Sequence, residues 1–245
     1  MILRPAFAEH YPFLVCALST RLGGVSPGSF GLNLSYAVGD DPEAVTLNRK
    51  QFFGSLGIGI EDLVLQHQVH GDNIRHVVAP GAWPETDGLC TASPGLFLCV
   101  TVADCVPVFL VDPSIRAIGV VHAGWRGSAA RIAAKGVRVM TEDLGANPSG
   151  MIAYIGPSAA VCCYSVGRDV ASRFPASCVV REGDSYRVDL KQANREQLME
   201  AGLRPEVIEV DNACTICNTG LYHSHRREGA LSGRMMGVIG MRRSG

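Results

Sequence analysis

The chain has 245 residues, 47% of them hydrophobic, enough apolar surface for a substantial core, and is expected to form one domain over residues 1–245. Its 22 Lys and Arg against 23 Asp and Glu leave a formal net charge of -1, which supplies no global electrostatic footprint for nucleic acid or an anionic membrane. Neither is expected as a partner.

The first segment, MILRPAFAEHYPFLVCALSTRLGG, has only a short apolar run broken by Glu9, His10 and Pro12, without the order of a signal peptide, so a cytoplasmic protein is expected. FLVCALSTR alternates toward a strand, and GGVSPGSFGLN has the Gly, Pro and Ser content of an irregular loop. From Asp40, DDPEAVTLNRKQFFGSLG predicts a helix. Its start is acidic with Pro42, its apolar positions are Val45, Phe52, Phe53 and Leu56, and Gly57 is the stop. LVLQHQVHGDNIRHVV predicts two strand pieces around a Gly71, Asp72, Asn73 turn, with His70 at its edge.

After Asp87 and Gly88, the apolar run of residues 95–111 is interrupted by Asp104 and Pro107 and falls short of the roughly 18 uncharged residues of a membrane span. It predicts two core strands with a break near Asp104 and Pro107, because proline donates nothing to a central ladder. AIGVVHAGWRG predicts a strand closed by His122, and the helical spacing of Ile132, Ala133, Val137, Met140 and Leu144 follows, with Arg126 ahead of that helix. The remaining segments mix strand and helix patterns. The whole predicts an α+β fold of mixed sheets flanked by helices, with no clean βαβ repeat and no GxGxxG or P-loop signature for nucleotide-dependent redox chemistry.

Nine cysteines, an odd number, in a chain expected in a reducing compartment argue against a disulfide framework. Cys16, Cys99, Cys162, Cys163 and Cys178 are expected as buried small hydrophobes. Cys105 differs because of its company. One thiolate and two imidazoles suit zinc, and a catalytic zinc takes three protein ligands and keeps a fourth position open. His70 lies 35 positions before Cys105 and His122 lies 17 after it, too far apart for a finger-like motif. What brings the three together as candidates is that each stands at a strand end or turn beside Gly71, Pro107 or Gly124. A core thiol with two hydrogen-bonded histidines is the alternative.

STRLGGVSPGSFGLNLSYAVGDDPE, QVHG, ADCVPVFL, VHAGWRG, IGPS and SHRREGALSGRMMGVI occur in that order over residues 19–239. Together they resemble the family long labelled polyphenol oxidase or laccase-domain protein, now associated with purine nucleoside phosphorylase and adenosine deaminase activity. The resemblance implies that His70, Cys105 and His122 bind the metal, and that two stacked β-sheets carry outer helices in an α/β/β/α-like sandwich. It implies a purine nucleoside as substrate: phosphorolysis of adenosine, inosine, guanosine or methylthioadenosine to free base and ribose 1-phosphate, with adenosine deamination. The cofactor implied is zinc, with copper as the alternative and inorganic phosphate as co-substrate.

Asp104, beside the proposed thiolate, is a candidate to orient a ligand or move a proton, or else a hydrogen-bonded turn residue. Arg126, expected just before a helix, is a candidate phosphate clamp, with a surface ion pair as its alternative. Arg226, Arg227 and Arg234 are weaker pocket candidates. Cys214 and Cys217 form a CxxC without a second such pair; Cys214 fits the resemblance and Cys217 is given no role. His67 stands three positions before His70, which on a strand would point it to the opposite face, and His223 and His225 are left outside the metal site.

Three competing functions remain at this point. Copper-dependent phenol oxidation suits a Cys and two His, yet a multicopper cluster needs more imidazoles than seven His can readily provide. A non-catalytic metal-binding protein is the second. Hydrolysis with Cys105 as nucleophile and His122 as base is the third.

Overall fold

The computed structural model describes residues 2–243. The chain opens with strands β1 (Ile2–Leu3) and β2 (Leu14–Ser19), then helix α1 (Pro42–Ser55). Asp41 starts that helix by accepting the Glu43 N–H, Pro42 occupies the first turn, and Gly57 leaves it at φ +65°. Short strands follow: β3 (Leu63–Gln66), β4 (Ile74–His76), β5 (Gly81–Trp83) and β6 (Gly88–Thr91). Three longer ones come next: β7 (Phe97–Val102), β8 (Val106–Asp112) and β9 (Ala117–Ala123). Helices α2 (Trp125–Ala129) and α3 (Ile132–Leu144) lead to β10 (Ile152–Ile155). Then come β11 (Ser165–Val166), α4 (Arg168–Ala171), β12 (Val179–Glu182) and β13 (Ser185–Val188). The chain closes with α5 (Leu190–Glu200), β14 (Ile208–Val210), α6 (His225–Glu228) and β15 (Met235–Met241).

Among the described residues the strands form a sheet of order β1-β2-β15-β7-β3-β5, a second of order β14-β10-β8-β9-β6-β4, and a small third, β11-β13-β12. Strand periodicity divides their side chains between layers. Leu98, Val100 and Val102 of β7 face Phe109 and Val111 of β8 and Ile118 and Val120 of β9 between the two large sheets. Phe97 and Cys99, on the other face of β7, pack under Phe52 and Phe53 of α1. Val108 and Leu110 of β8 likewise turn outward to Ile132, Val137 and Met140 of α3. The sequence stretches read as near-continuous apolar runs because both faces of each central strand are covered. The result is the expected α+β sandwich of stacked mixed sheets with outer helices. β15 carries Gly237 against β8, where a Cβ would lie 2.6 Å from the Phe109 ring.

The two strand pieces expected around residues 71–73 are both present, in different sheets: β3 in the first and β4 in the second. β7 and β8 likewise lie in different sheets, so the chain passes between sheets at residues 67–73 and again at residues 103–105. One expectation needs correction: the break falls at residues 103–105, but Pro107 does not interrupt a strand, since β8 runs through it. β10 pairs with β8 only from Val108 onward, so the donor that proline lacks falls outside that ladder, while the Gly156 N–H donates to the Pro107 carbonyl at 2.9 Å. No helix among the described residues is long and apolar enough to cross a membrane.

The far end of β8 is tied by Asp112, a buried residue whose carboxylate accepts the Ser114 N–H and hydroxyl at 2.9 and 2.6 Å and the Asn147 N–H at 2.9 Å. Burial raises the carboxyl pKa, but these donors outweigh it and hold the group below the ordinary carboxylate range. A depressed folded pKa contributes stability that is complete above the ordinary value of about 4 and lost as the pH falls through the folded one. Asp112→Ala is therefore expected to lose about 2–3 kcal/mol at neutral pH. Denaturant unfolding should also show that its stability falls less steeply below pH 4 than the parent's.

Candidate active site

The two passages at residues 67–73 and 103–105 and the end of β9 meet at one end of the sandwich, bringing His70, Cys105 and His122 together. One ligand atom from each lies within 4.8 Å of the others. The His70 and His122 rings stand edge to face, with centroids 4.9 Å apart. His122 is buried, Cys105 half-buried and His70 exposed, so the group opens to solvent on one side. At Gly124 a Cβ would stand 3.2 Å from the Cys105 sulfur and 3.3 Å from the His70 ring. Any larger residue would crowd the donors.

His70 reaches this position because β3 stops at Gln66. Beyond it the Gln68 side-chain amide replaces the main chain, accepting the Thr101 N–H at 2.8 Å and donating to the Thr101 carbonyl at 2.9 Å. The freed backbone turns through His70 at φ +59°, a conformation that costs a non-glycine residue about 1–2 kcal/mol. That turn is held by Asp87, a fully buried carboxylate ahead of β6. One of its oxygens accepts the His70 N–H at 3.0 Å, and the other accepts those of Gly71 and Val69 at 2.8 and 3.2 Å. The first oxygen also lies 2.8 Å from His122 Nδ1, and the Asp87 carbonyl accepts the His122 N–H at 2.7 Å. With Nδ1 committed to Asp87, Nε2 of His122 is left for a metal or the Cys105 sulfur.

The electrostatics follow from this packing. Burial opposes ionisation of Cys105, but His122 and His70 facing the sulfur pull its pKa down to about 6. Burial pushes the His122 imidazole the other way from its neighbours, and the Cys105 thiolate and Asp87 carboxylate prevail, raising it to about 9. Desolvation raises Asp87 too, yet His122 and the loop N–H groups leave it a carboxylate held below the ordinary range. One soft thiolate, two imidazoles and a carboxylate behind one of them suit a zinc-type ion with an exchangeable position.

The cavity in front of these donors measures about 740 Å³, in the range of pockets that enclose small ligands. Arg49, Arg126, Arg226 and Arg234 reach it, as do the aromatic rings of Tyr36, Trp125 and Tyr164. Arg126 lies inside α2, not ahead of a long helix, because Arg131 at φ +63° separates α2 from α3. Five residues carry little dipole, so its guanidinium, 4.3 Å from the Trp125 ring centroid, is what it offers an anion. Arg49 is likewise held above Tyr36 at 4.5 Å and donates to the Leu34 carbonyl.

Asp104 borders the cavity and is tied into the surrounding scaffold. It is buried at φ +87°, and its carboxylate accepts the Thr215 hydroxyl at 2.7 Å and the Arg226 N–H at 2.7 Å. It thereby seats Arg226, whose guanidinium lies 4.7 Å from the Tyr164 ring centroid. Of the closing arginines, Arg226 and Arg234 line the cavity, whereas Arg227 is spent on the carbonyls of Thr215, Ile216 and Tyr222. His67 lies past the end of β3, so the strand-offset argument does not apply to it. It lines the cavity outside the three-donor group. His225 is on the rim, and His223 is buried without a hydrogen-bond partner for either ring nitrogen, its pKa pushed down to about 4 mainly by burial.

Sequence reasoning missed Asp87, read only as a turn signal before Gly88, and Arg49, on the predicted helix. It also misjudged Cys162 and Cys163. They are exposed and half-buried, and their sulfurs gather with those of Cys214 and Cys217.

A family model described as multi-copper polyphenol oxidoreductase laccase matches residues 15–242. A purine nucleoside phosphorylase of Deinococcus radiodurans is 41% identical over 233 residues, covering 93% of this chain and 89% of that protein. The purine nucleoside phosphorylase YlmD of Bacillus subtilis is 34% identical over 247 residues, covering 94% and 89%. The crystal structure of YlmD from Geobacillus stearothermophilus superposes with a TM-score of 0.93 at 35% identity, covering 99% of both chains.

Two outcomes follow from the geometry. Replacing Asp87 with Ala is expected to weaken zinc binding at the three donors about 10–100-fold in chelator competition. Parental affinity would contradict the role of that carboxylate. In metal-free protein, alkylation of Cys105 followed by peptide mass spectrometry should rise with pH through a midpoint at about 6, because only the thiolate reacts.

Proposed function

The chain belongs to the family described as multi-copper polyphenol oxidoreductase laccase, and on that premise we propose that it is a zinc-dependent enzyme of purine nucleosides. The reactions proposed are phosphorolysis of adenosine, inosine, guanosine and methylthioadenosine, and deamination of adenosine. The observation that carries this reading is a three-donor metal group opening into a nucleoside-sized, arginine-rimmed cavity, in a chain whose relatives bear the name purine nucleoside phosphorylase.

His70, Cys105 and His122 would hold the ion, which supplies Lewis-acid chemistry when bound. Asp87 fixes the His122 tautomer and the His70 turn. Trp125, Tyr164 and Tyr36 offer faces on which a purine can stack. Arg126 is the proposed phosphate clamp, because its guanidinium borders the cavity on the Trp125 ring and its planar fork matches a phosphate. In phosphorolysis a phosphate oxygen bonds to the anomeric carbon as the glycosidic bond breaks and the purine leaves with the electron pair and gains a proton. In deamination, water supplies the oxygen that replaces the amino group, and ammonia departs. Asp104 acts on both through Arg226, as a positioning residue. A multicopper oxidase is disfavoured by the donor set, since the second metal-competent cluster among the described residues is built of four cysteines and adds no imidazole.

The test supplies zinc-loaded protein with inosine or adenosine and phosphate and follows free base, ribose 1-phosphate and ammonia. Base and ribose 1-phosphate should appear in equal amounts, and ammonia should form from adenosine even without phosphate. Arg126→Ala should raise the KM for phosphate about 10–100-fold, the worth of a charge-assisted hydrogen bond, with less change in that for nucleoside. Oxygen uptake with a phenol after copper loading, without purine products, would overturn the proposal.

A further inference from the structure

Cys162, Cys163, Cys214 and Cys217 lie outside the site just described, and all four are free thiols. Their sulfurs fall within 4.8 Å of one another, with Cys163 and Cys162 at 3.0 and 3.5 Å from Cys217. A tetrahedral zinc ion with Zn–S bonds of about 2.3 Å sets its sulfurs about 3.8 Å apart, close to this spacing. Core packing does not account for the gathering, because Cys162 and Cys217 are exposed and Cys163 only half-buried. The two segments that carry them are about 50 positions apart in sequence and are registered by the backbone. Ser158 bridges Cys214 in parallel, the Thr215 N–H donates to the Ser158 carbonyl at 3.0 Å, and the Ala160 N–H donates to the Cys214 sulfur at 3.4 Å. Amide donors to sulfur stabilise thiolate, the form a metal requires. The Lys191 ammonium, anchored on the carbonyls of Asp211 and Ala213, adds positive charge facing Cys214 and Cys162.

We propose that these four cysteines hold a zinc-type divalent ion in a closed tetrathiolate site, separate from the His70, Cys105 and His122 group. Four protein ligands leave no position for substrate, so the site is structural. Its consequence lies in the residues next along the chain. Tyr164 follows Cys163 and lines the cavity, and Thr215 follows Cys214 and donates to Asp104, the carboxylate that seats Arg226. The ion clips the loop that carries Tyr164 into the cavity to the loop whose Thr215 supports Asp104 behind it. Each cysteine gives up its thiol proton on binding, so the clip tightens as the pH rises.

The test uses full-length protein purified under reducing conditions, carrying Cys105→Ala so that the three-donor site is disabled. That protein should retain about one zinc per chain, and replacing the zinc with cobalt(II) should give the intense sulfur-to-cobalt charge-transfer absorption of a tetrathiolate. Adding Cys217→Ser should abolish both. Should that double variant fail to fold, alkylation of the Cys105→Ala protein with and without a chelator decides. Metal removal should speed labelling of Cys162, Cys163 and Cys217 at least about tenfold. A metal-free Cys105→Ala protein, labelling rates indifferent to chelator, or a disulfide between Cys163 and Cys217 in the freshly isolated protein would each overturn the proposal. Because only metal content and thiol protection are read, the result stands independently of whether purine nucleosides are the substrates.

Discussion

The carboxylate of Asp87 is the contact on which the geometry of the site depends. It is fully buried, which is costly for a charge unless every oxygen is engaged, and here three backbone N–H groups and one imidazole engage it. The exchange works in both directions. The carboxylate stays ionised because the loop and His122 surround it, and the loop keeps His70 in a left-handed conformation because the carboxylate collects its amides. Asp104 repeats the arrangement on the other passage, with its own positive φ offset by bonds to Thr215 and Arg226. Strained backbone beside a fully satisfied carboxylate is how this fold brings chemistry-bearing side chains to a fixed point.

The sandwich explains why that point lies where it does. Strands that pair within a sheet can be joined by tight turns, but β3 and β4, and β7 and β8, belong to opposite sheets. Their connections must cross the open edge of the core, where backbone groups lose their ladder partners and need side chains such as Gln68, Asp87 and Asp104 to replace them. The same crossings bring His70 and Cys105 beside the end of β9. The cavity, its arginines and its aromatic rings then gather from α1, α2, α6 and the loops before α1, after β10 and before β15, around a position the two sheets have already set.

Much of this was legible in the sequence, for identifiable reasons. α1 announced itself through Asp41, Pro42 and Gly57, and the central strands through apolar runs too long for one-sided burial. His70, Cys105 and His122 stood out because Gly, Asp or Pro neighbours marked each as a strand end. Asp87 did not, since Asp followed by Gly reads as a turn, and its reach to His122 depends on β6 pairing with β9 across about 30 residues. Arg49 was hidden because arginine on a helix is by default solvated. The four cysteines were set aside for the same nonlocal reason: CC in one segment and CxxC in another mean little until the Ser158 to Cys214 bridge aligns them. Local signals thus marked where the chain bends, and only the pairing of distant strands revealed what the bends hold.

The central claim is that Asp87 organises His70, Cys105 and His122 into a metal site with one position left open to the cavity. Anomalous diffraction at the zinc edge from crystals of the zinc-loaded protein tests it most directly. The account predicts a peak between the three donors, at about 2.0–2.1 Å from each imidazole nitrogen and 2.3 Å from sulfur, with no fourth ligand from the protein. A peak there completed by a fourth protein side chain, or no peak there under zinc-saturating conditions, would contradict it.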